Sequence, residues 1–161
     1  VSIDFDTLRE LSNAGIDKWG IGGAVQHGAS TLPDDAFDKF PQMDTLEVHL
    51  ATGFQNILMD SPDFPEDLKN KMYSWMKENL AGERKEGWTD EQFFAKLRKK
   101  AWGPFKKEVL SLPEDTRVKL RKQLQDKFEF LFDKLGASNS RDMVNEKIQP
   151  ARVKRQKPAS L

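Results

Sequence analysis

The stretch AVQHGAS, residues 24–30, sets a histidine, a glycine and a serine where an apolar run ends. A glycine at Gly28 lets the backbone approach an anion closely. Ser30 offers a hydroxyl and an amide, and a helix start near Pro33 adds the positive end of its dipole. The stretch ATG, residues 51–53, repeats that chemistry with an amide, the Thr52 hydroxyl and Gly53 directly before another helical run. Two successive turns of this kind suit a phosphate bound between them. His27, at the same rim, has the chemistry of a zinc ligand or of a general acid or base, and equally that of a plain structural residue. One histidine is not a metal site, because zinc takes at least two further protein ligands. His49 takes the opposite face from Leu46, Val48 and Leu50, and so points either into a barrel lumen or into solvent.

Strands and helices must hold these turns. Val1, Ile3 and Phe5 alternate like the tail of a strand, and the chain opens on Val rather than Met, so the expectation is a piece of a longer protein. Residues 6–14 predict a short helix capped by Asp6 or Thr7 and stopped at Gly15. Residues 24–27 read as a strand. Thr31, Pro33, Asp34 and Asp35 then start a brief helix that stops at Phe40 and Pro41. Leu46, Val48 and Leu50 alternate in a second strand closed by Thr52 and Gly53, and a short helix begins at Phe54. The 22 residues from His27 to His49 are a comfortable length for one βαβ crossover, whose strands run parallel.

After Pro62 the pattern turns helical. Leu68, Met72, Trp75, Met76 and Leu80 share one stripe, and Thr89 and Gln92 have capping-box spacing. Pro104 and Pro113 each start a further helix, the last aligning Leu124, Phe128, Leu131 and Leu135, with Phe130 off the stripe. The aromatic residues of this half, among them Trp75, Trp88, Trp102, Phe93 and Phe105, read as core. Asp60, Asp63, Glu66 and Asp67 read as a solvated loop and cap. From about residue 150 the periodicity stops in a loose basic tail.

Composition limits the function classes. The 161 residues contain 26 basic and 26 acidic side chains, 32% charged and 37% hydrophobic, which describes a globular chain with no global field toward nucleic acid or membrane. The basic runs at Arg98, Lys99, Lys100, Lys106 and Lys107 and at Arg117, Lys119, Arg121 and Lys122 have acids interspersed at Glu108, Glu114, Asp115, Asp126 and Glu129, and read as solvated helix faces rather than a nucleic-acid surface. There is no cysteine, hence no disulfide or thiolate site, which fits a reducing, cytoplasmic setting. No apolar run reaches membrane-span length, and no leader pattern opens the chain.

Two strands do not make a stable sheet alone. The motifs point to the missing context. The HGAS at residues 27–30 resembles the HGGS that closes the seventh barrel strand in class II, zinc-dependent fructose-bisphosphate aldolases. EVHLATG, residues 47–53, is similar in spacing to that family's eighth-strand motif. The resemblance is sharp over residues 22–56 and implies an α/β chain, the carboxyl-terminal fragment of a (β/α)8 TIM barrel. Residues 1–62 would carry its last βα units, 63–149 a helical extension packed on the barrel or a partner subunit, and 150–161 the basic tail.

By position, the resemblance makes His27 a zinc ligand and Gly28, Ser30, Thr52 and Gly53 the grip on a substrate phosphate. His49 falls on a family asparagine that contacts the ketose near the scissile bond, so it takes the catalytic assignment. Ala51 replaces an acid, and Ala29 the second glycine. The activity implied is reversible aldol cleavage of a ketose bisphosphate such as fructose 1,6-bisphosphate. The partners implied are a phosphorylated sugar and a second copy in a homodimer or higher oligomer, with neither nucleic acid nor membrane. The other zinc ligands and the proton-transferring aspartate belong to earlier strands. Two further readings are a non-catalytic helical interaction module that retains an inactive half-barrel, and a barrel that binds sugar phosphates without turnover.

Overall fold

The computed structural model describes residues 3–151, 153, 154 and 156. The chain is mixed α/β, largely helical, with a two-stranded parallel sheet. Helix α1, Phe5–Trp19, begins at Asp4, whose carboxylate accepts from the Thr7 amide at 3.0 Å. Phe5 is therefore the first residue of a helix, not part of a strand; Val1 lies outside the described residues. The helix also runs past Gly15 to Trp19. The missing side chain at Gly15 is filled by Ile21, which folds back so closely that a Cβ there would meet its Cδ1 at 3.0 Å.

Strand β1, Ala24–Gln26, pairs in parallel with β2, Thr45–Val48, and the His49 amide extends the ladder to the Gln26 carbonyl at 2.8 Å. The expected crossover is there, although built differently. Two 3-10 turns, Ala29–Thr31 and Asp34–Ala36, precede one short helix, α2, Lys39–Gln42. Pro41 lies inside α2 because its third position has no amide partner to lose. The sheet is anchored from below by Ser12, a fully buried residue of α1 whose hydroxyl accepts from the Ala24 amide at 2.9 Å.

Helix α3, Thr52–Met59, starts two residues earlier than the sequence predicts. There follow α4, Glu66–Asn79, and α5, Asp90–Leu97, the second opened by the Thr89–Gln92 capping box. A 3-10 turn, Arg98–Trp102, leads to α6, Lys106–Leu110, then α7, Glu114–Lys134, and α8, Arg141–Lys147. Pro104 lies before α6 rather than at its start, and α8 went unread in the sequence. No described helix is long and apolar enough to cross a membrane.

Two apolar clusters hold this framework. One gathers Met59, Phe64, Leu68, Met72, Met76, Leu80, Phe93, Leu97, Ala101 and Leu120, so the α4 stripe is the core face the spacing implied. The other joins Leu8, Ala29, Phe37 and Phe40 to Leu131. Helix α7 thus spans both clusters. Its stripe is rotated from the expected one: Phe130 packs edge-on against Phe37 at 6.4 Å, whereas Phe128 is 42% exposed and stacks on Phe54 at 4.6 Å. Of the basic tail, Arg152, Arg155 and Lys157 lie outside the described residues.

Candidate phosphate-binding cleft

Parallel pairing carries both βα turns to one edge of the sheet, where carboxyl ends of strands place ligand-binding groups. They open on a cleft of about 930 Å3 lined by His27, Gly28, Ser30, His49, Ala51 and Thr52 together with residues of α3, α5 and the following 3-10 turn. Gly28 has φ of 75°, a conformation in which a side chain would be strained, and it leaves the turn open toward the cleft. Ser30 and Ala51 join the two turns, because the Ser30 hydroxyl accepts from the Ala51 amide at 2.9 Å. The hydroxyl proton remains free to donate. Ala51 caps α3 without a side-chain hydrogen bond; the Phe54 amide donates to the Ala51 carbonyl at 3.2 Å, which leaves the Thr52 and Gly53 amides for another acceptor.

Gly53 has a different place. It faces a separate cavity of about 410 Å3, on the side of Lys127 and Leu131. A Cβ at Gly53 would lie 3.2 Å from the Ser30 carbonyl oxygen and 3.3 Å from Ser30 Cβ. Its part in the geometry is to let the two turns touch.

His27 and His49 stand side by side at the ends of the paired strands, ring centroids 4.4 Å apart and inclined at 65°. Register explains the contact, since the His49 amide bonds the residue before His27. His49 Nε2 lies 2.7 Å from Glu47 Oε2, both side chains about half exposed. Two imidazoles fall short of the three protein ligands of a catalytic zinc. Among the described residues, no group of three or more His, Cys, Asp or Glu side chains is placed to hold a metal ion. The residues present fit only part of a zinc site.

The far wall contains the residues that the sequence reading missed. Arg98 is not on a solvated face: it is 9% exposed, and its guanidinium donates to Asn56 Oδ1 at 2.6 and 3.1 Å and to both Asp60 carboxylate oxygens at 2.5 and 2.7 Å. That pairing holds the Asp60 carboxyl below its usual range, the hydrogen bond from Arg98 being the chief cause. Asp60 is accordingly an anchor, and Asp63 pairs with Lys119 at 3.2 Å, where a solvated loop was expected. Gln55 lines the cleft with a buried carboxamide oxygen that has no hydrogen-bond partner. The available signal for Arg98 was periodicity, since it lies four residues after Phe94 and five after the buried Phe93.

No family model, curated protein or solved structure matches this chain.

Proposed function

We propose that this chain is the carboxyl-terminal part of a (β/α)8 barrel resembling class II fructose-bisphosphate aldolases, and that it supplies the phosphate grip of a cytoplasmic, oligomeric lyase acting on a ketose bisphosphate. The observation that carries the reading is the convergence of two consecutive βα turns, cross-linked from Ser30 to Ala51, on one cleft with two histidines in contact at its rim. In this reading the Gly28 and Thr52 amides and the Ser30 and Thr52 hydroxyls surround the phosphate, helped by the dipole of α3. His49 reaches the ketose near the scissile bond with an imidazole nitrogen, its ring held by Glu47. His27 would be one ligand of a zinc centre whose remaining ligands come from further strands, a metal that would supply Lewis-acid polarisation of the ketose carbonyl.

The sheet supports the barrel. Leu11, Trp19, Ile21 and Leu46 are each more than half exposed on the α1–β1–β2 side, and a two-stranded parallel sheet calls for flanking strands. The same exposed apolar residues also favour the second reading, a docking module without catalysis. Thermal melting of the chain separates the two. Phosphate at a concentration well above its Kd raises the midpoint if the grip exists, because a ligand bound only by the native state stabilises it. An unchanged midpoint, or a rise that survives Ser30→Ala, removes the basis for the enzyme.

A further inference from the structure

The wall that the helical half presents to the cleft has one chemical character. Lys96 lies near the end of α5, Arg98 and Lys99 open the next turn, and all three line the cleft together with no carboxylate. In a chain with 26 acids and 26 bases, a cationic wall without an acid is a local arrangement rather than a reflection of composition. Arg98 is occupied by Asn56 and Asp60. Lys100 turns away to pair with Glu83. Lys96 and Lys99 line the cleft and have no ion-pair partner among the described residues.

The backbone that carries Lys99 is fixed relative to the opposite wall. The Arg98 clamp ties the turn bearing Lys99 to α3, the same helix whose first residue is Thr52. Anything held at Ser30 and Thr52 therefore faces a wall whose backbone at Lys99 is held in place, with the two ammonium groups at the ends of exposed side chains. A cleft of about 930 Å3 is at the upper end of small-molecule sites, which run from roughly 300 to 1,000 Å3, and leaves room for a ligand that reaches both walls. Gln55 adds an acceptor without a partner, suited to a sugar hydroxyl.

We propose that Lys96 and Lys99 form a second anion subsite, so that the cleft takes a sugar-sized ligand with a phosphate at the Ser30–Thr52 end and a second phosphate or a carboxylate at the lysine end. The first half of that statement rests on the phosphate grip proposed above. The second stands on the lysines alone. Both side chains are on the surface, so their replacement by glutamine leaves the fold intact, which a melting curve verifies.

The test is calorimetric titration of the whole chain with fructose 6-phosphate, fructose 1,6-bisphosphate and 6-phosphogluconate. One of the two doubly anionic probes binds about tenfold or more tightly than fructose 6-phosphate, as charge-assisted contacts with two ammonium groups imply. Which of them does so identifies the second group as phosphate or carboxylate. The K96Q/K99Q double variant abolishes that margin and leaves the affinity for fructose 6-phosphate unchanged. No margin in the natural chain, or one that persists in the double variant, overturns the subsite. Failure of the grip looks different: Ser30→Ala leaves every affinity alone, while the lysine variant still weakens the doubly anionic probes.

Discussion

The two apolar clusters of this chain are finished to different degrees. In the helical half, Met59, Met72, Met76 and Phe93 are wholly enclosed, and Trp75, Trp102 and Phe105 seal the margins where α4, α5 and α6 meet. Around the sheet, the buried apolar cluster is smaller, Leu8, Ala29, Phe37 and Phe40, with Leu131 of α7 completing the group. The outer side of α1 and the strands ends in exposed Trp19, Ile21, Val25 and Leu46. Yet the cleft opens at this thinner part. Directional polar links do there what burial does in the helices: Ser12 fixes the start of β1, Ser30 joins the two turns, and Arg98 ties α3 to the helical half. Such links hold geometry at modest net stability, about 0.5–1.5 kcal/mol each, whereas burying one large apolar side chain contributes about 1.5–3 kcal/mol.

The largest effect expected from this contrast is at Met72. Met72→Ala removes a fully enclosed side chain and lowers unfolding free energy by about 2–5 kcal/mol, read from denaturant melts. Hydrogen exchange sharpens the result. In the natural chain the amides of β1 and β2 open more readily than those of α4, and the variant closes the gap by weakening α4. Equal protection of sheet and helix in the natural chain would break the comparison. Next in size is Gly53→Ala, which forces the Ser30 backbone away by a few tenths of an ångström. Overpacking of this kind costs about 1–3 kcal/mol, and the spreading of the turns lowers the melting shift produced by phosphate.

How much of this was legible in the sequence follows from which forces act locally. The α4 stripe, the Thr89–Gln92 capping box and the parallel crossover are written within a few residues of themselves, and each was readable. Near α1 the reading stopped at Gly15 because a glycine ordinarily ends a helix, whereas here Ile21 returns to fill the space. That contact is tertiary. The cleft divides in the same way. The glycine, serine and histidine of one wall lie in short motifs, whereas the contact of His27 with His49, which parallel pairing brings about, was not read. The spacing from Phe94 could place Arg98 on the inner side, but its partners Asn56 and Asp60 lie 42 and 38 residues away, so the clamp on the opposite wall became visible only in the folded chain.

A third prediction concerns that long-range link. Arg98→Gln breaks the clamp and costs about 1–2 kcal/mol, a figure reduced from that of a fully buried pair because the Asp60 side chain is 60% exposed. Arg98 holds the Asp60 carboxyl below its unfolded value of 3.8, so the native chain binds this proton more weakly than the unfolded chain does. The ionised pair therefore stabilises fully above that value, and the contribution is lost as pH falls through the lower, folded one. Acid melts of the natural chain lose the Asp60 contribution as pH falls below about 4, and the variant shows a flatter acid limb. Identical limbs would mean that Asp60 and Arg98 do not hold the two parts together.

The smallest effect on stability is expected at the unfinished face, and its smallness is what makes it informative. Trp19 is 77% exposed, so Trp19→Gln changes the melting free energy by no more than about 0.5 kcal/mol. The same substitution removes the most exposed apolar side chain of α1, and concentration-dependent association in sedimentation velocity falls. A melting loss several times larger would show that Trp19 is packed in the isolated chain and that the sheet region is already complete. An unchanged stability with reduced association leaves the face as a surface made to be covered, and places the difference between the two halves in what each one lacks rather than in how well each one packs.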